Sequence, residues 1–171
     1  TPTSRRSSRH RPAPTSCRPI PIADARVPRA ARTLGAAAAS AIAFALYARV
    51  AWPWFALGWC GLAPWLAAVD QVRTWRGAVV AGWLMSVAFT VAVFPWFIDA
   101  VAGYAAAPWL VGLVVVVASA PLIQPQFIVH AAVRHLARRR TAPAWQVAAL
   151  SACAYVGAEW ALPKLFADTL G

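Results

Sequence analysis

The side chains with the most evident chemical potential lie toward the C-terminal end: Cys153, Glu159 and Lys164 fall within twelve residues. A thiol, a carboxylate and an ammonium together suggest nucleophilic catalysis, in which an oriented base activates the nucleophile. Their spacing works against them. On a helix rising ~1.5 Å per residue, Cys153 sits roughly two turns inside an apolar run. Lys164 lies beyond Pro163 at its end. The three come within hydrogen-bond reach only if the chain folds back, so no catalytic residue is assigned.

A second constellation surrounds Pro121 and Pro125, with Gln124, Gln126 and His130. Proline removes a backbone donor and bends a helix, and the freed carbonyls need other partners. A kink carrying two amides and an imidazole would contact a polar headgroup. The plainer alternative, a packing kink whose amides bond to neighbouring helices, is preferred. Three further candidates for lipid or headgroup contact are Trp96, Glu159 and Trp160. Glu159 closes an apolar run, where a carboxylate is either partly buried and functional or reaches water. Both readings stand. Asp99, just after Phe94-Pro95-Trp96-Phe97-Ile98, reads as a solvated interfacial carboxylate.

Other patterns lead nowhere. No phosphate loop, dinucleotide fingerprint or metal-ligand spacing occurs, so neither a cofactor nor a metal is expected. Cys17, Cys60 and Cys153 cannot all pair, and the last two lie in apolar runs, where a free Cys acts as a small hydrophobe. Leu150-Ser151-Ala152-Cys153 matches the short pattern before a lipid-modified cysteine, but it is far from an N-terminal signal. Ala43-Phe44-Ala45 fits a signal-cleavage pattern, yet the apolar runs that follow favour an uncleaved helix.

The elements that must carry these residues are defined by gaps in charge. The 171 residues are 61% hydrophobic and 12% charged, with a net charge of +11. A soluble domain ordinarily has about 25% charged residues, so a soluble enzyme is excluded. Asp, Glu, Lys and Arg are absent from 33–48, 50–69, 77–98, 100–133 and 141–158. A membrane-spanning helix needs ~20 mostly apolar residues, and backbone polar groups in hydrocarbon must be paired internally. The expected fold is therefore all-α, a polytopic membrane helix bundle with five transmembrane helices at about 33–50, 52–69, 77–98, 109–133 and 143–161. Residues 1–32, rich in Arg and Pro, are expected to form a disordered tail.

Orientation follows from the basic residues. The tail and the loops near 70–76 and 134–140 hold fourteen of them, against two (Arg49 and Lys164) in the alternate connections. The N-terminus is thus expected on the cytoplasmic side and the C-terminus on the periplasmic side. Eight of the ten Trp fall near predicted helix ends, as an aromatic belt would place them. Among these is Trp65, whereas Trp59 and Trp83 sit deeper. Beside a membrane span, the Arg-rich tail reads as a topology signal and an attraction to anionic phospholipid, not as a nucleic-acid binder.

The order of motifs carries a resemblance. Trp52-Pro53-Trp54-Phe55-Ala56-Leu57-Gly58-Trp59 leads into Leu62-Ala63-Pro64-Trp65-Leu66 and a short basic loop. Arg76-Gly77 opens the next helix, Phe94-Pro95-Trp96-Phe97 closes it, and Ala158-Glu159-Trp160-Ala161-Leu162 ends the fifth. Over about residues 34–171 this resembles the N-terminal membrane region of apolipoprotein N-acyltransferases. The resemblance implies a bacterial inner-membrane, multi-pass protein of lipoprotein biosynthesis. In that family an acyl chain passes from a phospholipid to the N-terminal diacylglyceryl cysteine of a lipoprotein. The family's catalytic Glu, Lys and Cys lie in a nitrilase-like periplasmic domain after the helices. The sequence stops at Gly171, before such a domain. The expectation is a fragment that anchors and shapes lipid access, is non-catalytic alone, and has phospholipid, a lipoprotein substrate and a nitrilase-like domain as partners. The alternatives are a small transporter subunit, which needs a polar path, and a structural membrane interaction protein.

Overall fold

The computed structural model describes residues 28–49 and 53–161, and every regular element among them is helical. The tail through residue 27, Cys17, Trp52, Pro163 and Lys164 lie outside the described residues, so the expected disorder of the tail and the position of Lys164 do too.

Helix α1 (Arg29–Tyr47) begins straight after Pro28, a few residues before the expected start. Its alanines favour helix intrinsically. Ala37, Ser40 and Ala41 are buried and form a small-residue face that neighbouring helices approach closely. The run expected as one helix over 52–69 is divided. A 3-10 turn (Trp54–Ala56) leads into α2 (Leu57–Cys60) and then α3 (Ala63–Val69). Pro64 stands in the first turn of α3 and has no N–H to continue the preceding helix.

Helix α4 (Trp75–Val93) is capped by Thr74, whose hydroxyl accepts the Gly77 N–H at 3.1 Å. Expected to reach residue 98, it stops at Phe94, whose φ of −119° and ψ of 53° are outside the helical region. Pro95 accounts for this: a residue before proline is disfavoured in the α conformation, and proline itself starts the next helix, α5 (Pro95–Tyr104). The helix expected over 109–133 is likewise two, α6 (Trp109–Ile123) and α7 (Gln126–Arg139), parted at Gln124–Pro125. Helix α8 (Ala144–Ala161) completes the described chain. The ends of α5 and α7 turn through left-handed Ala106 (φ 48°) and Thr141 (φ 54°), closed by Ala107 N–H to Ala102 O at 3.0 Å and Ala142 N–H to Ala137 O at 3.4 Å.

Contacts give each segment a direction. Helices α1 and α4 run parallel, since Leu34 and Ala36 share a groove with Val80 and Leu84 while Phe44 meets Phe89 at 5.4 Å further along. The segment Trp54–Val69 returns between them, its end at Asp70 beside Arg134 near the end of α7. Helix α7 runs back along α4, with Gln124 at Ser86 and Asp70 below it at Arg134, and a short turn reverses the chain into α8. The chain thus passes alternately between two ends of the bundle. Arg32, Arg73, Arg76 and Arg138–140 lie at one of them, the basic end.

The core gathers Ala37, Trp65, Val69, Ala81, Met85, Phe89, Phe127 and Ala131. Outside it the chemistry is inverted relative to a soluble protein. Leu34, Ile42, Val80, Leu110, Val114, Leu122, Leu150 and Val156 are all exposed, whereas Ser40, Ser86, Thr90, Gln124, Gln126, His130 and Ser151 are buried. Helices α1 and α4 are each long and apolar enough to cross a membrane, and α5 with α6 would make a third span bent by 117°. Trp65 departs from the expected belt. It is fully buried, donating its indole N–H to Ala81 O at 3.0 Å, because Pro64 opens α3 so that the ring turns inward. Trp59, placed deeper by sequence, is 91% exposed.

Candidate functional site

The break between α6 and α7 is the polar centre of the bundle. Pro121 and Pro125 lack N–H groups, and Ile128 N–H bonds Pro125 O at 3.0 Å, so the Gln124 carbonyl loses its ordinary helical donor. Ser86 on α4 replaces it: its hydroxyl lies 2.8 Å from Gln124 O and 3.1 Å from Gly82 O. The Gln126 amide donates to the Gln124 side-chain oxygen. Both glutamines are almost wholly buried, at 2% and 1% exposure. Gln124 and Gln126 therefore bind each other and the helix break, with no surface turned outward. The two side-chain amides bond to each other at the break, and it is the Gln124 backbone carbonyl that bonds to the neighbouring helix.

His130, one turn on from Gln126, packs its ring 5.6 Å from Trp65 and 6.1 Å from Tyr155. Neither ring nitrogen has a hydrogen-bond partner, and nor does Gln126 Oε1. Tyr155 also meets Phe127 at 5.7 Å, so α8 lays an aromatic ring over this buried polar cluster.

The basic end holds a different arrangement. Asp70, the C-cap of α3, takes a two-pronged pair from Arg134, with Nε to Oδ1 at 2.7 Å and Nη2 to Oδ2 at 2.8 Å. Arg138, one turn further along α7, reaches Oδ2 at 3.2 Å. Side-chain exposures of 15% for Arg134 and 24% for Asp70 place the pair part-way out of water, and its fork-to-fork geometry is the strong form of such a contact. It ties the α3–α4 loop to the end of α7.

At the opposite end the remaining candidates are dispersed. Trp96 is 63% exposed at the start of α5, its ring edge-on to Phe94 and Phe97. Glu159 is half-buried one turn beyond Tyr155, and Trp160 beside it is 87% exposed. Cys153, exposed on the middle of α8, has Glu159 nearly two turns away. Among the described residues no group of His, Cys, Asp and Glu is arranged to hold a metal ion.

Sequence reasoning passed over Ser86, Trp65, His135 and the Asp70–Arg134–Arg138 cluster as site residues. One signal was available: Asp70 is the lone acid in a basic loop, and Arg134 and Arg138 are spaced to lie on one helix face.

An all-helical bundle with aliphatic side chains facing outward and hydroxyls, amides and imidazoles turned inward is built for a lipid surrounding, since backbone and polar groups must be satisfied inside it. It is a membrane protein. Residues 34–167 match the family model described as the apolipoprotein N-acyltransferase N-terminal domain, and the chain belongs to that family. No curated protein and no solved structure matches it.

Proposed function

We propose that this chain is the membrane portion of a lipoprotein N-acylation system of the bacterial inner membrane. The observation that carries the reading is the family match over 34–167. In this reading the passes are α1, Trp54–Val69, α4, α6 with α7, and α8, of which α1 and α4 are each by themselves long and apolar enough to cross a membrane. Their alternating directions, with the arginines gathered at one end, support an arrangement in which that end is cytoplasmic and the C-terminal end of α8 periplasmic. The bundle then anchors a nitrilase-like catalytic domain on the periplasmic side. It presents Trp96, Glu159 and Trp160 at the headgroup level, where phospholipid and lipoprotein acyl chains enter. The indole rings suit that layer, with the apolar body inward and the N–H to water.

The chemistry of acyl transfer is assigned to the partner domain. Expressed alone in cells depleted of their own N-acyltransferase, residues 1–171 should insert in the inner membrane and leave lipoproteins without N-acyl groups by mass spectrometry. Acylation by this chain alone would overturn the division of labour. Reporter fusions at the 105–108 turn and the 140–143 turn should give opposite sidedness, and equal sidedness would overturn the orientation.

A further inference from the structure

We propose that α5 does not cross the membrane but lies along its surface, at the end of the bundle away from the arginines, as an amphipathic helix that binds the phospholipid headgroup boundary. Its ten residues rise only ~15 Å, about half of the ~30 Å hydrocarbon layer. The chain turns by 117° between α5 and α6, so α5 advances mostly sideways, across the axis of α6. It is not a loose end. Gly112 on α6 sits against the α5 backbone, where a Cβ would stand 2.5 Å from Ile98 O and 3.2 Å from Ala102 N, and Ile98 and Ala102 are both buried.

What α5 leaves uncovered is divided by side. Residues two places apart on a helix lie about 200° round from one another, so Phe97 and Val101 stand on the side away from Asp99. Asp99 is exposed, and Gly103, one turn on, continues its flank with nothing within 4 Å of a built Cβ. Phe97 and Val101 are apolar and half-buried. The sector between the two flanks holds Trp96, Ala100 and Tyr104, all exposed. A helix crossing hydrocarbon gains nothing from a free carboxylate, which is costly there. A helix standing in water gains nothing from bare aromatic rings at both its ends. At the interface each has a place: the apolar flank sinks toward the acyl chains, the carboxylate meets water, and the indole and phenol lie at the headgroup level between them.

The partner follows from continuity. Beyond the turn at 105–108 the exposed face runs on through Trp109 into Leu110, Val111, Val114 and Val115 of α6, a surface that meets lipid in a membrane bundle. The bilayer that surrounds α6 thus reaches α5 at its headgroup layer. This inference requires a membrane around the bundle, but neither a role in acyl transfer nor a particular sidedness.

The test places a nitroxide on single cysteines in the full 171-residue chain, in vesicles of phosphatidylethanolamine and phosphatidylglycerol. The background carries Cys17→Ser, Cys60→Ser and Cys153→Ser. The label sites are Trp96→Cys, Asp99→Cys, Ala100→Cys, Gly103→Cys and Tyr104→Cys, all exposed positions whose change leaves the contact with Gly112 intact. Val114→Cys and Arg140→Cys give the hydrocarbon and water references. Relaxation by oxygen, which concentrates in hydrocarbon, is compared with relaxation by a water-soluble nickel chelate. Labels at 99 and 103 should be relaxed mainly by nickel and those at 100 and 104 severalfold more by oxygen, with 96 between them. The Gly103 label keeps Asp99 in place and so reports the polar flank with its carboxylate intact. A steady change from 96 to 104 would mean that α5 crosses the membrane, and nickel dominance at all five that it stands in water. Either result overturns the proposal, as does any order in which 103 fails to return toward 99.

Discussion

Gly82 on α4 lies so close to Ile128 on α7 that a Cβ on the glycine would stand 2.6 Å from the isoleucine Cα and 2.9 Å from Phe127 O. The neighbours are backbone, which cannot step aside as a flexible side chain would. This crossing sets the separation of α4, which carries Ser86, from α7 and the break at Gln124 that precedes it. In lipid, where apolar surfaces gain little by leaving the solvent, such close backbone approach is a main source of helix association.

Replacing Gly82 by Ala should therefore destabilise the bundle, although Ala is by itself the better helix former by about 1 kcal/mol. Overpacking against backbone costs about 1–3 kcal/mol or more, and the net loss should be near 2 kcal/mol in micelle unfolding experiments. Gly157, with nothing within 4 Å of a built Cβ, is the control. Gly157→Ala should raise stability by about 0.5–1 kcal/mol.

Asp70→Asn should cost about 2 kcal/mol. That lies between the ~0–1 kcal/mol of exposed pairs and the ~3–5 kcal/mol lost when one partner of a fully buried pair is removed. The pair is neither fully wet nor fully buried, with side-chain exposures of 15% and 24%. Arg134→Lys keeps the charge but loses the fork and should recover only part of the loss. The double variant Asp70→Asn/Arg134→Gln should be less destabilised than the sum of its singles, measured by equilibrium unfolding.

Ser86→Ala removes the hydroxyl that serves the Gln124 carbonyl at 2.8 Å. The acceptor is then buried with one partner fewer, and the loss should be about 1 kcal/mol, the scale found for hydrogen bonds between helices in membranes. Hydrogen exchange should show faster opening around 120–128 than in the parent, while the turn at 140–143 is unchanged.

Ala106 and Thr141 occupy left-handed conformations at φ 48° and 54°, where a Cβ is strained. Ala106→Gly and Thr141→Gly should each stabilise by about 0.5–1 kcal/mol, because glycine's lower strain exceeds its greater flexibility in the unfolded chain. A fall in Tm for both would mean these turns hold another conformation in solution.

Cys60 and Cys153 are free and exposed among the described residues, and Cys153 sits at the middle of α8. If that face meets lipid, Cys153 should resist a charged maleimide in intact membranes yet react after denaturation in detergent. A charged reagent does not enter the hydrocarbon layer. Rapid labelling in membranes would place α8 against water.

The resemblance to the acyltransferase membrane region was readable before any coordinates, and the match over 34–167 bears it out. The all-helical character was readable too, from charge-free runs that no soluble helix needs. Helix continuity was only half legible. Pro64, Pro95 and Pro125 were visible in the runs, but hydropathy averages over a window and is blind to one missing N–H. Each of those prolines ended a helix that composition alone would extend.

Sequence alone determined what solvent this protein is made for and where its arginines must gather. Both are properties that add along a chain: apolar length against a bilayer, and positive charge between the apolar runs. Only the tertiary structure decided which side chains meet. Asp70 and Arg134 are 64 positions apart, and their pairing depends on how α7 is rotated as it crosses α4 at Gly82. The same rotation buries Gln124 and Gln126 at the break and leaves His135 in an arginine-lined cavity, while Pro64 at the start of α3 turns Trp65 from an expected belt residue into the centre of the core. Contact of this kind is set by crossing angle and helix breaks, which act between segments and leave no additive trace in composition.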